Sequence, residues 1–280
     1  MNFTYNEWEN FCKELKRNDI ISVTAASLLE SARNAELLPR RFVVIKHDVE
    51  SFPQKALDIA RIESRYGHRS SYYVQPSLMV EANVGLFNEI QRLGHEVSYH
   101  HSVIDSAQGD IALAIVLYQK DVELFEKYGF DVKTVCQHGN PASKYDNRDF
   151  FKSCEAKEKF PDQIDIMVDF SDKIGCAYTY ISDVGMLFKI VKDPVHNMNL
   201  SADDEYTIIG DIDHVLNTIF ENPSASYVVS VHPHRYSRSA VGAIARKMLF
   251  NLLKSIARVV FLIPGIRKLV FRNNRLIRYI

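Results

Sequence analysis

The sequence predicts an α/β fold built on a parallel sheet or barrel, and three observations predict it. Short β-branched runs alternate with segments of helical period. Histidines and carboxylates collect just after several of those runs, where parallel architectures place their chemistry. The composition is that of an ordinary globular chain: 280 residues, 46% hydrophobic and 25% charged. With 11 Gly, 9 Pro and 4 Cys it excludes collagen-like, low-complexity and disulfide-scaffold classes.

The elements follow in order. Residues 1–38 read as a helical N-terminal extension. Phe42-Val43-Val44-Ile45-Lys46-His47 is a first buried strand. Ala56, Ile59, Ala60 and Ile62 give a helix ending at Tyr66-Gly67, and Ser70–Val74 is the second strand. Leu86, Phe87 and Ile90 mark a helix closed by Gly94, before a third strand over His95–His100. A long helix runs from about Ala107 to Tyr128, stops at Gly129, and leads into a strand over Val132–Cys136. Later strands are expected at Ile164–Phe170, Ala177–Ile181 and Tyr227–Val231. The organisation expected is an extension over 1–38, an α/β body over 39–238 and a tail over 239–280.

The formal net charge of −1 conceals a division. Residues 239–280 hold nine of the 34 Lys and Arg and no Asp or Glu, so the first 238 residues carry 25 basic against 35 acidic groups, a balance of −10. The chain is an acidic body with a basic tail. Its N-terminus lacks the basic start and apolar stretch of a signal peptide. Cys12, Cys136, Cys154 and Cys176 form no CxxC pair and read as reduced thiols. No apolar run reaches the roughly 18–20 residues that span a bilayer. A cytoplasmic location, peripheral on the inner face of a membrane if the tail binds one, is expected.

The residues at the strand ends suggest a site. The first strand ends in His47-Asp48-Val49-Glu50 and the third in His100-His101. The fourth ends in Gln137-His138-Gly139-Asn140-Pro141, a later one in Ser182-Asp183, and the last in His232-Pro233-His234-Arg235. In a parallel α/β architecture these ends converge, and His with carboxylate is a ligand set for zinc or a similar divalent ion. Each piece alone has a structural alternative. A His-Asp pair at a strand end is commonly a hydrogen-bonded structural pair. Only one of His100 and His101 can face inward. His138-Gly139 fits a turn. The recurrence at successive ends favours the functional reading.

That order resembles the polysaccharide deacetylases of the NodB-homology type, carbohydrate esterase family four. The branch it is most similar to opens with His-Asp-Val-Asp/Glu and occurs in bacterial surface-polysaccharide gene sets. The likeness covers about Phe42 to Tyr236. It is carried by Ile45-Lys46-His47-Asp48-Val49-Glu50, Gly94-His95-Glu96-Val97-Ser98-Tyr99-His100, Tyr180-Ile181-Ser182-Asp183 and His232-Pro233-His234-Arg235-Tyr236. The resemblance implies a distorted (β/α) barrel of about seven strands. It also implies removal of acetyl groups from N-acetylated sugars by a divalent metal, zinc being the first expectation, with an Asp base and a His acid. It places the base at Asp48, the first metal histidine at His100 and the acid at His232.

Three departures stand out. The family's second Asp falls at Val49, so Glu50 or Asp48 must supply that carboxylate. Its second metal histidine falls at Ile104, leaving His138, His101 or Asp105 to replace it, with His138 preferred. The Arg-Pro-Pro-Tyr-Gly motif is absent. The expected ligands are therefore Glu50, His100 and His138, with Asp183 and Arg235 orienting His232 or contacting sugar hydroxyls. Tyr72, Tyr73 and Tyr99 fit either a sugar platform or the core. Alternative readings are a hydrolase of another small amide, or a degenerate member that binds glycan or an assembly partner without turnover.

In the tail, Ile244, Met248, Leu249, Leu252, Leu253, Ile256, Val260 and Ile263 recur at three- and four-residue intervals, and Lys247, Asn251, Lys254 and Arg258 occupy the other face. This is a basic amphipathic helix, halted by Pro264-Gly265 and followed by a second basic-apolar stretch. Its apolar stripe either packs on the body or meets an anionic membrane surface, where each basic residue contributes about 1 kcal/mol. No nucleic-acid motif accompanies the charge, and no nucleic-acid partner is expected.

Overall fold

The computed structural model describes residues 3–261 apart from 37, 40, 141–142 and 192–205, with backbone alone for 206 and 251–261. The second basic-apolar stretch of the tail lies outside the described residues.

Two helices open the chain. α1 (Tyr5–Arg17) begins with a reciprocal cap, Thr4 Oγ1 accepting from the Glu7 N–H while Glu7 accepts from the Thr4 N–H. It buries Trp8, Phe11, Cys12 and Leu15. α2 (Ala25–Arg33) is capped by Thr24. Then come β1 (Val43–Val49), α3 (Pro53–Arg65), β2 (Ser70–Val74), α4 (Glu81–Arg92) and β3 (Glu96–His101). Pro53 suits the first position of α3, where its missing N–H costs nothing. Gly94 turns the chain between α4 and β3 at φ +90°. A short α5 (Val103–Ser106) precedes α6 (Ile111–Lys127), and β4 (Thr134–Gln137) follows. Next are α7 (Asp149–Lys152), α8 (Cys154–Lys159), β5 (Ile164–Asp165), α9 (Phe170–Ile174) and β6 (Thr179–Ser182). β7 (Phe188–Val191), β8 (Tyr206–Gly210), α10 (Ile212–Glu221), β9 (Tyr227–Val231) and α11 (Ala240–Phe261) complete the described fold.

All nine strands belong to one sheet, in the order β5-β4-β3-β2-β1-β9-β6-β7-β8. The run from β5 to β6 is parallel throughout, and these are the seven strands expected from the sequence. The sheet is nevertheless larger than about seven strands, because β7 and β8 add an antiparallel pair beyond β6. A second correction concerns Ile164–Phe170, where the strand is only Ile164–Asp165 and α9 begins at Phe170. Apolar runs this short do not separate strand from helix. No ladder joins β5 to β6 among the described residues, so ring closure is not seen. The two strands nevertheless share an interior. Val44, Tyr73, Cys136, Ile164, Tyr180 and Val228, from six strands, form one cluster with Leu28 and Leu29 of α2. The Tyr178 hydroxyl donates to the Ile166 carbonyl across the gap, at 2.9 Å.

α2 plugs the amino-terminal end of this interior. Its first N–H groups donate to Ser71 Oγ and to Glu96 Oε2, at the starts of β2 and β3. The opposite, carboxyl-terminal ends are left for the site.

The other face of the sheet packs against α1, α3, α4, α6 and α10, and it holds a buried polar network. Glu63 on α3 accepts from Trp8 Nε1 (3.1 Å) and the Tyr72 hydroxyl (2.6 Å), and His47 Nε2 lies 2.6 Å away. Burial pushes the Glu63 carboxyl up, but His47 and its other neighbours outweigh this and hold it at about 2, against an ordinary 4.5. A carboxylate with a depressed folded pKa stabilises the fold above its unfolded pKa and loses that contribution as pH falls towards the folded one. Glu63→Gln is therefore expected to be less stable than wild type at neutral pH, with the gap narrowing from about 4.5 down to about 2. Urea titrations across that range, followed by emission of Trp8, the single tryptophan, provide the check. A gap independent of pH would refute the assignment.

Candidate active site

The period-two alternation of β1 places Lys46 and Asp48 in the interior, and His47 on the helix-covered face. The next polar residue, Glu50, lies just beyond the strand at its carboxyl end. β3 brings His100 inward beside it. The chain after β4 supplies His138, held by its N–H to the His101 carbonyl (2.7 Å), and Asn147 donates to the His138 carbonyl (2.8 Å). β6 ends at Asp183 and β9 at His232. All seven residues singled out in the sequence thus meet at one end of the sheet.

Two subsets divide the site. In the first, Glu50 Oε1 lies 3.2 Å from His138 Nε2 and 3.7 Å from His100 Nε2. One donor atom each from Glu50, His100 and His138 fits within 4.8 Å. His100 Nδ1 is 3.0 Å from the Cys136 carbonyl, which can only accept. Nδ1 thus carries a proton, and Nε2, on the side of Glu50, is the nitrogen that would bind a metal ion. His100 is buried at 2% side-chain exposure, whereas Glu50 and His138 are 26% and 25% exposed, so the set opens to solvent on one side. Burial pushes the Glu50 carboxyl up, yet the two imidazoles hold it well below the ordinary carboxylate range. Two imidazoles and one carboxylate fit a zinc-like divalent ion. A second group, Asp48, His100 and Cys136, also lies within ligand range. Its Asp48 is already bound to Lys46, and a cation in that position disfavours a metal ion.

The second subset is an acid–base pair. Asp183, fully buried, accepts from the His232 backbone N–H (3.0 Å), from His232 Nδ1 (2.6 Å) and from Arg235 Nη1 (2.6 Å). Burial raises its carboxyl, but Arg235 and His232 bring it down to about 2. An ionised Asp183 fixes the Nδ1–H tautomer of His232, leaving Nε2 3.8 Å from Asp48 Oδ2 and 3.9 Å from Glu50 Oε1. Of the two roles expected for Asp183 and Arg235, the geometry realises the orientation of His232. A fully buried carboxylate with its oxygens occupied does not contact sugar hydroxyls.

Several other expectations resolve. His101 faces the helices and pairs with Asp165 at 2.8 Å, so it takes no part in the site. Asp105 accepts from Asn140 and Asn147, bracing the loop that carries His138. Tyr72, Tyr73 and Tyr99 are fully buried and belong to the core. A cleft of about 700 Å³ between α1 and α3 contains none of these residues. Its arginines pair with local carboxylates, Arg61 with Glu89, Arg65 with Glu9 and Arg238 with Asp58.

Three features were missed in the sequence. Lys46 Nζ lies 2.7 Å from Asp48 Oδ2 and 3.3 Å from both Tyr180 Oη and Ser230 Oγ, at 2% exposure. Burial pushes Asp48 up, but Lys46, with His100 and His232, holds it below its ordinary value. The signal was present: Lys46 is two residues before Asp48 in a strand and must share its face. His234 packs on His232 with ring centroids 5.6 Å apart, its Nδ1 unpartnered, and burial beside His232 lowers its pKa to about 3. Phe52 follows Glu50 closely, with φ +51° and an exposed ring.

No family model matches the chain, and no curated protein sequence matches it. Among solved structures it is similar to a family 4 carbohydrate esterase from Streptomyces lividans in complex with acetate. That match has 14% identity, covers 76% of this chain and 89% of the other, and has a TM-score of 0.40. It is also similar to the Xyl-CE4 domain of a multidomain xylanase from the hindgut metagenome of Trinervitermes trinervoides, at 11% identity, with 76% and 82% covered and a TM-score of 0.39.

The Lys46–Asp48 pair carries its own prediction. Removing one partner of a buried ion pair leaves an uncompensated charge, at a cost of about 3–5 kcal/mol. Lys46→Met is expected to lower unfolding stability on that scale in urea, and the K46M/D48N double variant to recover most of the loss. A single-variant loss below about 1 kcal/mol would show that the two charges do not depend on each other.

Proposed function

We propose that this chain is a hydrolase that removes the acetyl group from an N-acetylated sugar, in bacterial surface-polysaccharide synthesis. The observation that carries the reading is the meeting, at one set of strand ends, of a Glu-His-His ligand set with an ionised aspartate and an aspartate-oriented histidine. The strand-end motifs, which resemble the NodB-type deacetylases, supply the substrate class and the biosynthetic setting.

Amide hydrolysis needs a polarised carbonyl, an activated water and a proton for the departing nitrogen. A divalent ion such as zinc, held by Glu50, His100 and His138, would polarise the acyl oxygen and make bound water more acidic. Asp48 serves as the base. Lys46 and Ser230 occupy its Oδ2, while Oδ1 is buried without a hydrogen-bond partner and keeps its lone pairs for a water proton. Lys46 keeps the carboxyl ionised in an interior that would otherwise favour the neutral acid. For this step His232 carries a proton on Nε2 as well as on Nδ1; it gives the Nε2 proton to the leaving amine, and the proton that Asp48 has taken from the water then restores it. The negative charge of Asp183 stabilises the imidazolium that precedes the transfer, as the third member of a nucleophile–base–orienter array does elsewhere. Phe52, two residues after Glu50, has an exposed ring, with Lys55 Nζ 5.4 Å from its centroid and bonded to the His234 and Tyr236 carbonyls. An aromatic face held there suits a pyranose ring.

Acetate release from N-acetylglucosamine oligomers and from nucleotide- or lipid-linked N-acetyl sugars tests the reading. Wild type is expected to release acetate and to carry one divalent ion per chain. His100→Ala is expected to lose the ion, and Asp48→Asn and His232→Asn to lose about 100-fold or more in kcat. A metal-free wild type, with no acetate released on adding Zn²⁺, Co²⁺, Mn²⁺ or Ni²⁺, would leave a binding protein rather than an enzyme. Phe52→Ala is expected to raise KM several-fold with kcat little changed, since stacking holds substrate and transition state alike. An unchanged KM would remove Phe52 from the substrate site.

A further inference from the structure

Over residues 240–250, the first turns of α11, exposed apolar side chains face away from the protein. Ala243 is buried, Phe250 packs partly on the core, and Arg246 Nη1 donates to the carbonyls of His234 (2.7 Å) and Tyr236 (2.8 Å). Those contacts fix which face looks inward. On the other face Val241, Ile244 and Met248 are 78%, 46% and 68% exposed, with Leu249 beside them at 55%. Spacings of three and four residues place the first three in one stripe along the helix. The sequence repeats the interval at Leu252 and Ile256. Scattered apolar residues on a surface need no explanation, but a continuous stripe on one helix marks a surface that is covered.

The charge identifies what covers it. From residue 239 to 280 there are nine basic residues and no acid, four of them (Arg246, Lys247, Lys254 and Arg258) within α11. A second copy laid against the stripe would bring two such helices together with no carboxylate of their own between them. An anionic lipid surface complements both features, taking the exposed apolar side chains at the headgroup boundary while the net positive charge of residues 239–280 draws the segment to it. α11 is not long and apolar enough to cross a membrane. We propose that α11 docks the protein on an anionic bilayer, with Val241, Ile244 and Met248 entering the interface. Arg246 ties the first turns of the helix to the backbone just after His232, so docking holds the strand-end site beside the lipid. Resting on the deacetylase reading, the substrate class then becomes an N-acetylated sugar carried on a membrane lipid.

Co-sedimentation of the full-length protein with vesicles of phosphatidylcholine alone, or mixed with phosphatidylglycerol, tests the docking. Wild type is expected to bind the mixed vesicles, more weakly as salt rises, and to bind the neutral ones little. A Val241→Glu, Met248→Glu double variant is expected to bind at least about tenfold more weakly, since two apolar side chains leave the interface. Its circular dichroism, and its acetate release from a soluble substrate, are expected to match wild type. Failure of wild type to bind the mixed vesicles, or equal binding by the variant, would overturn the proposal. So would self-association of wild type in light scattering that the variant abolishes without any vesicle binding, which would give the stripe to a second copy. Vesicle binding without acetate release from any substrate would leave the docking intact and overturn the deacetylase reading alone.

Discussion

A buried ion pair and a buried imidazole–carboxylate hydrogen bond lie back to back on the central strand β1, and the rest of the molecule is arranged around them. On the inner face Lys46 is bonded to Asp48, and on the outer face His47 meets Glu63. Neither pair could be buried without its partner, because an isolated charge in a protein interior carries a desolvation cost of several kcal/mol. Each pair therefore constrains its surroundings. Glu63 requires α3 to lie against β1 and draws Trp8 of α1 into the same network, joining the opening helices to the sheet. Lys46 requires β6 and β9 to present Tyr180 and Ser230 to it.

Those constraints also set the electrostatics of the site. With Lys46 below it, Asp48 remains a carboxylate in an interior that would otherwise neutralise it. Asp183 is held ionised by Arg235 and in turn fixes the proton of His232. The ionised Asp48 and the Nε2 of His232 stand less than 4 Å apart. Glu50 and His138 are more exposed than that pair, and His100 is buried beside them. The differences among these similar groups arise from which neighbour each one has.

Much of the fold was legible because its signals are local. The seven parallel strands follow from β-branched runs, and their helices from apolar spacing closed by Gly67, Gly94 and Gly129. β7 and β8 were missed because Phe188–Val191 and Tyr206–Gly210 are short and hold little alternation to separate them from loop. The site was legible as a set of residue types at strand ends. Its internal assignments were not, since they rest on contacts between distant segments. His100 and His101 are adjacent in sequence, and Asp165, 64 residues away, is what claims His101 for the core. The stretch His95-Glu96 is similarly structural. His95 bonds Ala60 and Ser70, and Glu96 accepts from the Ala26 N–H at the start of α2.

The sequence by itself determined the alternation of strand and helix, the gathering of histidines and carboxylates after the strands, and the separation of an acidic body from a basic tail. Each depends on residues a few positions apart, where a period of 2 or 3.6 is decisive. Only the tertiary structure decided that Lys46 is the partner of Asp48, that Asp183 and Arg235 serve His232, and that the apolar stripe of α11 faces outward. A helix has the same amphipathic pattern whichever side it buries. The choice is made by what it is tied to, here Arg246 and the carbonyls of His234 and Tyr236.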